Sequence, residues 1–232
     1  MPLPVKIVGG GVIQQGVEQA VDPTFNAARV AIRPLDYQNL GQFLGHYSVA
    51  KNTGTTVSIG GGGTLAYLRW TDSSRYCVPL KVRVSAVVAS AISTGTIVDV
   101  GLFQGHGSSG AGSGGNSVVP GTTNKARAAI MANSLVTEFR IATTAALTTP
   151  TGATVDAQAY AYAHLANSFA LTNTFTNCVA PIIDLYKADA TGEHPIVLSA
   201  NDFLQVQEVT AGPTTGGIQF GFTFEWAEVS VF

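Results

Sequence analysis

Near the end of the chain, Phe220, Phe222, Phe224 and Trp226 occupy every second position, alternating with Gly221, Thr223 and Glu225. Successive side chains of a β-strand point to opposite faces, so this register stacks four rings on one face and leaves the small and polar residues on the other. A helix would scatter the same rings around its axis. A face of four aromatic rings must be covered by an opposing apolar layer, and for a strand that layer is a second sheet. The segment Gly217 to Val231 therefore demands a β-sandwich around it.

Other segments agree. Val78 to Ser85 alternates, with Val78, Leu80, Val82 and Val84 expected on one side and Lys81, Arg83 and Ser85 on the other. Thr55 to Ile59 and Thr64 to Trp70 flank the glycines 60 to 63, a hairpin pattern. Ile97 to Phe103, Thr137 to Ala142, Pro181 to Tyr186, Pro195 to Ser199 and Phe203 to Val209 read as further strands. One helix is expected, over Lys125 to Val136 with Thr123 or Asn124 as its cap. Residues 145 to 180 are rich in Ala and Thr and give no assignable pattern. The fold expected is all-β, a jelly-roll-like sandwich over residues 46–232.

The first 45 residues differ. Pro2, Pro4, the glycines 9 to 11, Pro23 and Pro34 interrupt each apolar stretch before it completes an element, so an extended N-terminal arm is expected. Residues 105 to 124, GHGSSGAGSGGNSVVPGTTN, are expected to form an exposed, mobile Gly/Ser-rich loop.

Composition bounds the function. Only 11% of the 232 residues are charged, against about a quarter in ordinary soluble domains. Surfaces buried between partners are depleted in charge, which points to a subunit of an assembly. The formal net charge of −2 and the lack of a basic run argue against nucleic-acid binding. No apolar run reaches the length of a membrane helix, and MPLPVKIVGGG has no secretory-signal pattern, so synthesis in the cytoplasm is expected. Cys77 and Cys178 are too isolated for a zinc ribbon and are expected to be buried thiols.

A search for chemistry returns little. Gly107-Ser108-Ser109-Gly110 lacks the closing glycine of a nucleophile elbow. The glycine runs at 9 to 11 and 60 to 63 are not followed by a P-loop Lys-Ser/Thr pair. His46, His106, His164 and His194 show no metal-pair spacing, and Asp184 and Asp189 have no evident tuning partner. No catalytic residue, metal or cofactor is expected, and an enzyme is not.

Four segments, LAYLRWTDSSRYCVPLK (65 to 81), FRIATTAALT (139 to 148), PIVLSANDFLQV (195 to 206) and FTFEWAEV (222 to 229), with Val21 to Leu35 as a weaker fifth, resemble structural proteins of tailed-bacteriophage virions. Among virion roles, the resemblance and the composition favour a capsid decoration or cement protein. The resemblance implies a homo-oligomer, such as a trimer, on the capsid surface, with the major capsid protein as partner. Within the arm, Phe25, Arg29, Arg33 and Tyr37 are the expected partner-binding anchors, because aromatic and Arg side chains concentrate binding energy. The alternative is a tail, fibre or head-spike component that binds a host surface glycan.

Overall fold

The computed structural model describes residues 43–56, 59–90, 97–120, 124, 132–166, 182–188, 195–213 and 216–230. Within them lie eleven strands: β1 (Phe43–Asn52), β2 (Gly63–Arg69), β3 (Tyr76–Ser90), β4 (Val98–His106), β5 (Asn116–Ser117), β6 (Glu138–Ile141), β7 (Thr154–Val155), β8 (Ala161–Ala166), β9 (Ile183–Lys187), β10 (Phe203–Glu208) and β11 (Gly217–Val229). No helix occurs among the described residues. Two antiparallel sheets result. One has the order β1-β11-β3-β9, and the other β5-β6-β2-β10-β4-β7, with β8 also pairing β4. Strands β1 to β4 alternate between the two sheets, as do β9 to β11, so the chain repeatedly crosses the sandwich instead of forming local hairpins.

The aromatic face of β11 forms the inner layer, as its alternation requires. Phe220, Phe222, Phe224 and Trp226 are all buried, and Phe220 stacks on Phe222 with ring centroids 6.1 Å apart. Tyr47 of β1 stacks on Trp226 at 5.9 Å, and its hydroxyl donates to the Ala132 carbonyl. From the opposing sheet, Leu65, Leu68, Phe139, Val100, Leu102, Leu204 and Val206 complete the same core. Each such side chain contributes about 1.5–3 kcal/mol by leaving water.

Several expectations need correction. The hairpin expected between Thr55 to Ile59 and β2 is not seen among the described residues, since the neighbours of β2 are β10 and β6. Thr56 bridges Ile218 in the other sheet, and the glycines carry the chain across the sandwich, with Gly62 in the left-handed region at φ 82°. Second, the alternation of β3 breaks at a bulge. Glu225 faces Lys81 but Trp226 faces Pro79, so Leu80 is the extra residue and side-chain parity inverts there. Cys77 therefore joins the core with Val82 and Val84, while Leu80 is only half-buried. Pro79, lacking an N–H, sits beside the bulge, where a sheet tolerates it. Third, Ala132 to Val136, the end of the expected helix, is not helical, and Leu135 donates its N–H to Glu228. The start of that helix, like Thr123, lies outside the described residues.

The Gly/Ser-rich segment is more firmly held than its composition suggests. Its first two residues finish β4, Asn116 and Ser117 pair with β6, and Ser108 is buried. Asn124 brackets the exposed edge of β1: its carbonyl accepts from the Ser48 N–H at 3.1 Å, and its side-chain amide donates to the Ser48 carbonyl at 3.2 Å. Elsewhere, Leu198 makes only a bridge to Cys77, so Pro195 to Ser199 is not a strand of its own. Strands β7 and β8 fall in the stretch that sequence left unassigned.

Candidate functional site

The outer face of the seven-stranded sheet carries most of the ionisable groups that meet one another. On β2 and β6, Arg69 donates through Nε to Ser108 Oγ at 2.7 Å and through a terminal nitrogen to Glu138 at 3.3 Å. Glu138 also accepts from the Tyr67 hydroxyl and from Arg140 Nε. Burial, then the bond and charge of Glu138, raise the Tyr67 phenol well above its ordinary value. Ser108 completes the set by donating to the Asn201 carbonyl. Asn201 holds a positive φ of 70°, which Asn tolerates better than most residues, and its side chain accepts from Arg69. Ser108 Oγ thus accepts from Arg69 and spends its proton on Asn201, linking β2 to the turn before β10.

At the end of β4, His106 lies between two carboxylates. Its Nδ1 is 3.2 Å from Asp202 and its Nε2 is 3.6 Å from Asp156. Asp202 is itself fixed by the Ser199 N–H and hydroxyl. Both ring nitrogens face carboxylates, so this histidine clasps β4, the 156 region and the turn before β10 together.

A third cluster lies where β8 pairs with β4. Asp99 on β4 is 3% exposed, whereas its neighbours on β8, Tyr162 and His164, are 47% and 62% exposed. His164 Nδ1 is 2.5 Å from Asp99, and Thr210 donates to that carboxylate at 3.3 Å. Asp99, ahead of desolvation, raises the Tyr162 phenol. The two rings meet edge to face at 4.9 Å and 88°. The contact with Asp99 holds the imidazole through Nδ1. A buried acid thus holds an exposed imidazole, against which the Tyr162 ring packs.

The four-stranded sheet has a wetter outer face. There Arg83 pairs with Asp184 at 2.7 Å, and Glu225 lies 3.9 Å from Lys81. Asp184 is held below the ordinary carboxylate range, first by that Arg83 bond. A shallow groove of about 540 Å³ runs beside Gly221 between Lys51 and Arg83.

The anchors expected in the arm, Phe25, Arg29, Arg33 and Tyr37, lie outside the described residues, as do the glycines 9 to 11, Cys178, Asp189 and His194. Cys77 is a buried free thiol whose pKa is raised, chiefly by burial. Among the described residues, no three His, Cys, Asp or Glu side chains group as a metal site, and no helix is long and apolar enough to cross a membrane. Sequence reading passed over the Asp99 cluster. Its only signal was the alternation of Tyr162 and His164 with Ala161, Ala163 and Leu165, muted by the small alanines. No known protein family, curated protein or solved structure matches the chain.

Proposed function

We propose that this chain is a structural subunit of a tailed-phage particle, a capsid decoration or cement protein that binds the mature shell as a homotrimer. The observation that carries this reading is the scarcity of charge at the surface. Of the 12 basic and 14 acidic side chains, Arg69, Asp99, Glu138, Asp202, Glu208 and Glu228 are buried in the sandwich. A surface already poor in charge is left poorer still, as suits faces covered by neighbours. The resemblance of segments 65 to 81, 139 to 148, 195 to 206 and 222 to 229 to virion proteins supports the same reading. Its mechanism is linkage: a protein that binds only the expanded lattice stabilises that lattice against internal DNA pressure by its binding free energy. The major capsid protein is the partner, and the segment holding Phe25, Arg29, Arg33 and Tyr37 is the attachment element.

A second reading, a tail, fibre or head-spike component that binds a host glycan, is favoured by the exposed Tyr162–His164 pair. Quantitative mass spectrometry of purified particles, referenced to the major capsid protein, separates the two. A copy number that is a fixed simple fraction of the shell protein is expected for a decoration protein. A handful of copies would overturn that reading.

A further inference from the structure

Gly221 sits in the interior of β11, where a glycine weakens a strand unless a bulge, a bend or a close approach calls for it. No bulge lies there. Gly221 pairs evenly with Asn52 on one side and Ser85 on the other, and the irregular positions in the pairing with β3 lie between Gly217 and Ile218 and between Glu225 and Trp226. Nor is its φ positive. A Cβ at this position would come within 2.7 Å of Ser85 Oγ and 3.1 Å of Asn52 Oδ1, so two polar atoms lean over a floor that has no side chain. That floor belongs to the groove of about 540 Å³, whose lining includes Lys51, Arg83, Thr223 and the 71%-exposed Ile182 but no carboxylate. Arg83 spends its Nε on Asp184 at 2.7 Å. Its terminal nitrogens, like the side chains of Lys51, Asn52, Ser85 and Thr223, engage no described residue. Strand register puts Lys81 and Lys187 on the same outer face, with Asp184 and Glu225 as its acids. Together with Lys51 and Arg83, this face sets four basic groups against two acidic ones, on a chain of formal net charge −2.

We propose that this groove holds an Asp or Glu side chain presented by a partner protein. A guanidinium pinned to Asp184 through Nε keeps a fork of donors for a second carboxylate, and Lys51 adds its charge. The hydroxyls of Ser85 and Thr223 supply neutral donors, and the bare floor at Gly221 gives the incoming side chain room. A free small ligand is a poorer fit, because such ligands are taken by sites that enclose them and this groove is shallow. Ile182 offers instead an apolar contact beside the charges, as a protein surface would use. The inference deepens the shell reading and rests on it only for which protein the partner is. It adds a contact on the sandwich to the one assigned to the segment ahead of β1.

The test is a titration of the ¹⁵N-labelled full chain with a triglutamate peptide blocked at both ends, with the equally blocked triglutamine peptide and inorganic phosphate as comparisons. Amide shifts at Asn52, Ser85, Gly221 and Thr223, saturating with a dissociation constant on the order of 1 mM, are expected for an isolated peptide on a shallow groove. Triglutamine and phosphate are expected to bind several-fold more weakly. Lys51→Gln and Arg83→Gln are each expected to weaken triglutamate about three- to fivefold, the scale of an exposed charge contact. Gly221→Ala is expected to weaken it several-fold by filling the floor, with no change of charge. The wild-type comparison of the three probes does not depend on whether any variant folds. Absence of shifts at 20 mM triglutamate, taken as roughly twenty times that expected constant, would overturn the proposal, and so would equal binding of triglutamine. Phosphate binding as tightly as triglutamate would make the groove a simple ion site and would equally overturn it. The copy count decides the shell reading separately, so either can fail alone.

Discussion

Phe139 of β6 meets Phe224 of β11 edge to face, with ring centroids 5.1 Å apart and planes at 75°, and so joins the two sheets through one aromatic contact. Both side chains are buried. Phe224→Ala is expected to lower the unfolding free energy by about 3–5 kcal/mol, from lost burial and the cavity left behind. A double-mutant cycle with leucine at both positions, followed by urea denaturation, is expected to show about 0.5–1.5 kcal/mol of coupling. Simple additivity would mean that the rings contribute by burial alone.

Glu208, on the inner face of β10, is buried with Oε1 lacking a hydrogen-bond partner, and burial raises it from 4.5 to about 8. Between those two values the unfolded chain has released the proton while the folded chain keeps it. Stability therefore falls as pH rises from 4.5 towards 8. Glu228 is also raised, by burial first, and adds to the slope in the same sense. Glu208→Gln is expected to stabilise the protein at pH 8 by on the order of 2–4 kcal/mol and to leave it little changed near pH 4.5. Urea midpoints at the two pH values check this, and an unchanged slope would show that Glu208 finds a compensating charge.

Glu228 makes the opposite case for its variant. It accepts from Ser134 Oγ, the Leu135 N–H and Trp226 Nε1, so the carboxylate pins the 132 to 136 segment to β11. Glu228→Leu leaves those donors buried without an acceptor and is expected to cost about 2–4 kcal/mol at neutral pH. Hydrogen exchange is expected to accelerate first at Leu135 and Val136.

Gly105 lies directly beneath the Phe203 ring, and a Cβ at this position would come within 2.0 Å of Cζ. Gly105→Ala is expected to destabilise by about 1–3 kcal/mol as the ring is displaced. Phe203→Leu in the same chain is expected to recover part of that loss, read from the two melting temperatures. No recovery would place the strain in the β4 backbone instead of the ring.

Every strand described begins at or after Phe43. Removing residues 1–40 is therefore expected to leave a soluble sandwich with unchanged far-ultraviolet circular dichroism, while abolishing assembly or attachment to shells. Unfolding of the truncated chain would instead assign those residues to the core.

The sequence was most legible where one face is buried and alternation is strict, as in β11, where four rings left a single register. It was less so in β3, because a bulge at Leu80 inverts parity without a compositional mark beyond Pro79. Thr55 to Ile59 misled for another reason: glycines that permit a tight hairpin equally permit a crossing between sheets, and only the Thr56–Ile218 bridge decides between them. The Asp99 cluster joins residues 99, 162, 164 and 210, and only strand pairing brings them together. Single-chain periodicity carries no information on that pairing.

The pairing of Phe43 with Val229 places the entry and the exit of the sandwich side by side at one end. The far end carries the turn at Gly60 to Gly63, next to the 209 to 212 segment, with the Gly62 N–H on the Glu208 carbonyl and the Gly212 N–H on the Ile59 carbonyl. A copy moored through the residues ahead of β1 therefore presents that distant turn outward. Cargo spliced into the glycine turn would project clear of the mooring, whereas cargo fused after β11 would crowd it.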